Sequence, residues 1–176
     1  MLTPARNRRR SDLQSRYASV TRTAAGFELT LNPSQALTLG LEQREQEAHR
    51  RFAKIARRAG AMKSRLKDGT SKATIAGFNR AKLQAALASL DAELDRLKRM
   101  KLYPATVEEL LNISVTERLR WTKDGRLKTS GHGSFTSGSR VIHFPLYHPD
   151  TIVDLAKNPA EIASWREQDL LNSVSG

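Results

Sequence analysis

The chain has no cysteine, so disulfides and thiolate metal sites are excluded and a reducing compartment is compatible with it. No apolar run approaches the roughly 18 residues that cross a bilayer, which argues against a membrane partner. Aromatic residues make up only 6% of the total. That leaves few rings to stack on unpaired bases and weighs against RNA as the main ligand. Acidic residues are also scarce: 18 Asp and Glu stand against 30 Lys and Arg, a net charge of +12 with a pI near 10.6. A balance this basic points to a polyanionic partner, and nucleic acid fits better than a lipid surface. The opening segment MLTPARNRRRSDLQSR lacks the apolar stretch of a secretory or twin-arginine signal. Its Arg-rich, acid-poor composition also suits a mitochondrial presequence, but a basic arm is the plainer reading. The expected location is the cytoplasm of a prokaryote, associated with the nucleoid.

The 176 residues, 39% of them apolar, allow one domain with an extension or two small units. Charge divides them unevenly. Residues 1–102 hold 22 Lys and Arg against 9 Asp and Glu, whereas residues 103–176 hold 8 against 9. Residues 1–25 are polar and basic with little periodicity and read as a flexible arm. Residues Gly26 to Leu31 alternate apolar and polar, which predicts a short strand. From Leu41 to Lys67 the spacing is helical: Leu41, Ala48, Ile55 and Met62 recur every seven residues, with Phe52, Ala59 and Leu66 at a second position of the repeat. The other faces carry Arg44, Arg50, Arg51, Lys54, Arg57, Arg58, Lys63 and Arg65. After an interruption at Asp68-Gly69-Thr70-Ser71, Leu83, Leu87, Leu90, Leu94 and Leu97 form a heptad seam in a second helix over about 79–101. Two such helices read as an antiparallel hairpin closed within the chain, or as a coiled coil that pairs two chains into a homodimer.

The most informative stretch runs from Tyr103 to about Ala156. Thr106, with Glu109 three residues on, predicts one capped helix; Ser114, with Glu117 three residues on, predicts a second, over Val115–Lys123. Val107, Leu110 and Leu111 of the first helix and Val115, Leu119 and Trp121 of the second are expected to face inward. Thr116, Glu117, Arg118 and Arg120 are left to face outward or to lie on flanking faces. Asp124-Gly125 ends the helix, Arg126-Leu127-Lys128 begins a first strand, Ser130 to Ser139 forms a Gly/Ser-rich tip, and Arg140 to Phe144 returns as a second strand. A closing helix follows, and then a short C-terminal one from Pro159 to about Leu171.

The residues Thr106-Val107-Glu108-Glu109-Leu110, Ile113-Ser114-Val115-Thr116, Leu119-Arg120-Trp121, Asp124-Gly125-Arg126-Leu127 and Arg140 through Phe144 resemble the MerR-type winged helix-turn-helix, in particular its excisionase-like branch. The resemblance covers about 54 of the 176 residues and leaves residues 1–102 aside. It implies that the second helix enters the major groove of duplex DNA while the wing touches backbone or minor groove. Contacts would come from Ser114, Thr116, Arg118 and Arg120 of the helix and from Lys128 and Arg140 of the wing; Lys123 and Arg126, which belong to the same local basic cluster, are expected to join them. The sequence departs from the family at Asn112-Ile113, where the inter-helix turn often has Gly, and in the length of the wing tip.

Each of these residues also has a plain reading. Arg118 and Arg120 are ordinary solvated helix charges in the simplest account, and Trp121 is a core residue. His132, His143 and His148 lack ligand spacing, so no metal is expected. GHGSFTSG lacks the lysine and following helix of a phosphate loop. Capping accounts for Asp150, and Asp154 lies in the same closing helix. No cofactor and no catalytic constellation emerges. The expected fold is mainly α: a basic arm at 1–25, a strand and coiled-coil-like helical hairpin at 26–102, a winged helix-turn-helix with a two-stranded β wing at 103–157, and a C-terminal helix and tail at 158–176. The expected function is sequence-specific binding of double-stranded DNA by a regulator or by a recombination or maintenance factor of a mobile element. Arg8, Arg9, Arg10, Arg50, Arg51, Lys54, Arg57 and Arg58 would add sequence-independent contacts. The alternative is a protein-interaction adaptor, subunit or inhibitor within a nucleic-acid-handling complex.

Overall fold

In the computed structural model, which describes residues 13–174, the helix expected over 41–67 stops at Arg58. Gly60 stands just past its end with φ of 91°, in the left-handed region where glycine stops helices at little steric cost. The chain then turns into two strands, Ala61–Lys67 and Thr70–Ala76. Asp68 and Gly69 join them with φ of 50° and 68°. Two consecutive positive φ values form the tight hairpin turn that Asp-Gly favours. The expected mainly-α helical hairpin is therefore overturned: the described residues are 51% helix and 25% strand, with two antiparallel sheets and seven helices among them.

The chain divides into two compact units, residues 1–98 and 99–176. The first contains β1 (Ala18–Thr23), β2 (Gly26–Leu31), α1 (Gln35–Thr38), α2 (Glu42–Arg58), β3 (Ala61–Lys67), β4 (Thr70–Ala76) and α3 (Arg80–Arg99). β1 lies within the stretch expected to be unstructured, and the residues before 13 fall outside the described chain. The four strands form one antiparallel sheet in the order β1-β2-β4-β3. Phe27, Leu29 and Leu31 of β2 face the same side as Ile75, Ala73 and Ser71 of β4, their ladder partners, and all six are buried. Ala48, Phe52 and Ile55 of α2 and the five leucines of α3 complete that core. Those leucines are at most 2% exposed, so the seam is used up inside the unit and is not offered to a second chain. Burying a leucine contributes about 2 kcal/mol, which makes this face of α3 a principal anchor of the unit. Arg44 is buried as well, donating to the carbonyls of Leu97 and Lys98 at the end of α3, where a cation complements the helix C-terminus.

The second unit contains α4 (Pro104–Leu111), α5 (Val115–Lys123), β5 (His132–Ser137), β6 (Arg140–Pro145), α6 (Pro149–Lys157) and α7 (Pro159–Val174). Pro104 stands in the first turn of α4 and Tyr103 is its N-cap, so Thr106 lies inside the helix rather than capping it. β5 and β6 form a regular hairpin from His132↔Pro145 to Ser137↔Arg140. The first wing strand thus begins at His132 rather than at Arg126, and the Gly/Ser-rich stretch is mostly paired strand, with Gly138 and Ser139 alone turning the corner. A bridge between Leu102 and Tyr147 closes the base of the unit. Val107, Leu111, Ile113, Trp121, Leu127, Tyr147, Ile152, Ile162 and Trp165 are buried in its interior.

Candidate nucleic-acid interface

Ser114 starts α5 with both halves of a capping box: its hydroxyl accepts from Glu117 N at 3.1 Å, and its own N–H donates to Glu117 Oε2 at 2.7 Å. The hydroxyl is therefore committed to the helix end. Glu117 also accepts from Arg166 of α7 at 2.6 Å. The Arg166 contact first, and then the Ser114 hydrogen bonds, hold its carboxyl down at about 2 against the penalty of burial.

The arginines of this region do not share one role. Arg118, expected on an outer or flanking face and as a DNA contact, is buried: its Nε donates to Glu108 at 2.6 Å and it reaches the Tyr147 hydroxyl at 3.4 Å. Tyr147 in turn meets Thr122 at 2.9 Å. Arg118 is a strut joining α4, α5 and the segment before α6. Arg126 is also drawn in. Its guanidinium lies 5.6 and 5.9 Å from the Trp121 and Trp165 ring centres and is paired at 2.6 Å with both Asp124 and Asp169. Asp169 of α7 also accepts from Trp121 Nε1 at 2.9 Å and pairs with Arg120 at 2.8 Å. Burial raises the Asp169 pKa, but the hydrogen bonds from Arg126, Trp121 and Arg120 outweigh it, and the net shift is downward.

What α5 leaves outward is Thr116, Arg120 and Lys123, with Val115 and Leu119 beside them, both about half exposed. The two apolar residues were expected inside. Arg118 and Trp121 take the inward positions instead, because the helix turns that flank toward Glu108 and α7. Lys128 and Arg140 are exposed, Arg140 at the wing tip, and neither has an ion-pair partner among the described residues.

In the first unit, Arg50 pairs with Glu47, and Arg51 with Glu47 and Glu93. Arg57 turns back to the carbonyl of Ala53 at 3.4 Å. Lys54 and Arg58 stay exposed in a groove that Glu47 and Glu93 also line. Arg8, Arg9 and Arg10 lie outside the described residues. Lys63 and Arg65, read as helix surface, lie instead on β3, and with Lys67 and Lys72 they line a trough on the open face of the sheet. The Asp68-Gly69 pair was the signal that could have found them.

One buried group has the composition of a hydrolytic triad. Ser71 Oγ is 2.8 Å from His49 Nδ1, and His49 Nε2 is 3.6 Å from Glu45. Ser71 is only 3% exposed, which shuts its hydroxyl off from any substrate; the pair ties α2 to β4. Among the described residues, no group of three His, Cys, Asp or Glu is placed to hold a metal ion, and no helix is long and apolar enough to cross a membrane. Comparison with family models, curated proteins and solved structures gives no match.

Proposed function

We propose that the protein binds double-stranded DNA without catalysing a reaction, and that its second unit supplies sequence preference. The observation that carries this reading is the outward row Thr116, Arg120 and Lys123 on the capped helix α5. Spacings of four and three residues set them on one face, and an α-helix fits the major groove. Arg120 and Lys123 supply donors for guanine edges and phosphates, and Thr116 a short hydroxyl and a methyl. Arg118 and Arg126 are withdrawn from this role because their side chains are mostly buried against Glu108, Asp124 and Asp169, whereas Arg120, although it too pairs with Asp169, keeps half of its side chain exposed. Lys128 and the wing-tip Arg140 are left for backbone contact. The test is enrichment of a random-sequence duplex library by the full chain, followed by footprinting on the selected duplexes. A defined protected site is expected, with Arg120→Ala/Lys123→Ala losing the enrichment. Retention of all duplexes alike would remove the sequence-specific part of the reading.

Val115 and Leu119 favour a second reading. Two apolar side chains exposed side by side on a helix suit a protein partner that covers them, as in an adaptor or subunit. Under that reading Val115→Ser/Leu119→Ser abolishes capture of the partner, while Arg120→Ala/Lys123→Ala changes little.

A further inference from the structure

Among the described residues of the first unit, helices pack on one face of the sheet only. We propose that its other face is a second docking surface for double-stranded DNA, one that grips the phosphate backbone independently of sequence. The proposal rests on the duplex-binding reading above and adds a site to it.

A β-bulge builds this surface. Ala61 pairs with Ile75, which faces the core, but Lys63 pairs with Thr74, which faces away, and the register shifts between them. In an unbroken strand Ala61 and Lys63 would share a face. The extra residue, Met62, turns the rest of the strand over. Lys63, Arg65 and Lys67 therefore stand on the open face, opposite Thr74, Lys72 and Thr70. Cations at alternate positions are about 6.8 Å apart along the strand, which gives a row of charge rather than a point.

The composition of the face matches a polyanion. Lys63, Arg65, Lys67 and Lys72 are all exposed. Lys72 lies 3.5 Å from Glu28, while the other three have no ion-pair partner among the described residues. Ladder pairing puts Ser19, Thr21, Thr30 and Thr74 on the same side, a field of hydroxyls able to donate to phosphate oxygens. The face carries no aromatic ring, so it offers no stacking platform for unpaired bases. Glu28 and Asp68 also line the trough, so four cations stand there against two acids, with Glu28 3.5 Å from Lys72; in the groove along α2, Glu47 and Glu93 pair directly with Arg50 and Arg51.

The experiment measures binding of the full chain to a labelled random-sequence DNA duplex by anisotropy over a salt series. Three versions are compared: the natural chain, Lys63→Gln/Arg65→Gln/Lys67→Gln, and Lys54→Gln/Arg58→Gln. Circular dichroism melts check that each folds. Each lost phosphate contact lowers the slope of log K against log salt by about 0.9, so the sheet variant is expected to lose about 2 to 3 units of slope. The helix variant is expected to keep the natural slope. A sheet variant with unchanged slope overturns the proposal and leaves the duplex-binding reading standing. A slope lost only in the helix variant does the same and moves the surface to α2. Tighter binding of the matching RNA duplex overturns the assignment to DNA. A natural chain that binds no duplex even at low salt overturns both.

Discussion

Removing the Arg118 side chain separates a structural role from a DNA-reading one. The guanidinium is 8% exposed and its partner Glu108 21%, with Nε and the carboxylate 2.6 Å apart. Arg118→Ala forfeits a charge-assisted hydrogen bond, worth roughly 1.5–3 kcal/mol, and opens a gap beside Tyr147. It also strands a carboxylate in a largely dry site, although Glu108 keeps enough solvent contact to hold the loss below the 3–5 kcal/mol of a fully buried pair. The sum is about 2–3 kcal/mol. For a unit of this size that shifts the melting temperature by roughly 10–20 °C. Calorimetry or circular dichroism of the full chain would show the transition of the second unit moving while that of the first stays in place. Arg118→Met/Glu108→Leu, which removes both charges and keeps volume, is expected to recover most of the loss. Arg120→Ala is the contrasting control: its side chain is half exposed, so the pair with Asp169 is worth at most about 1 kcal/mol. An Arg118→Ala protein that melts as the natural chain does, yet loses duplex selection, would refute the strut and restore Arg118 to the reading surface.

Other perturbations have equally definite outcomes. Glu117 titrates near 2 in the folded chain against an ordinary 4.5, so its contribution is complete above about pH 4.5 and is lost as pH falls toward 2. Denaturant melts at stepped pH should show about 1–2 kcal/mol disappearing across that window, and Glu117→Gln should flatten the slope. Gly69→Val places a β-branched residue at φ of 68° where the added Cβ meets nothing closer than 3.5 Å. The loss should be the conformational cost alone, about 1–2 kcal/mol by urea melt. Leu94→Ala removes a side chain with no exposed surface and should lower the stability of the first unit by about 3 kcal/mol in urea titration.

The second unit was legible where local chemistry decides structure. Ser114 and Glu117 mark a helix start that depends on four residues and no tertiary partner, and α5 begins and ends where they and Asp124-Gly125 place it. The direction in which α5 faces was not legible. Leu119 and Val115 have apolar side chains that argue for the core, but Glu108 and Asp169, 10 and 48 residues from Arg118 and Trp121, draw those two inward instead. The first unit was misread for a different reason. The sevenfold recurrence that genuinely describes α2 runs on by chance through Ala59, Met62 and Leu66. Gly60, the conformational stop at the end of α2, falls between the counted positions and so does not interrupt that count; Asp68-Gly69 does interrupt it, but was read as the end of a helix rather than as a hairpin turn. The leucines of α3 were placed correctly on one face. What they pack on, a sheet assembled from two hairpins that α1 and α2 separate in the chain, is a long-range property that no single window of sequence contains.

The central claim is that this chain holds double-stranded DNA chiefly through uncompensated cations, with α5 adding preference. The most direct test is the affinity of the full chain for a labelled random-sequence duplex across about 50 to 200 mM salt. The account predicts binding that weakens steeply, by at least about tenfold for three or more phosphate contacts, and that an unlabelled duplex competes away. No binding at the low-salt end, or an affinity indifferent to salt, would contradict it.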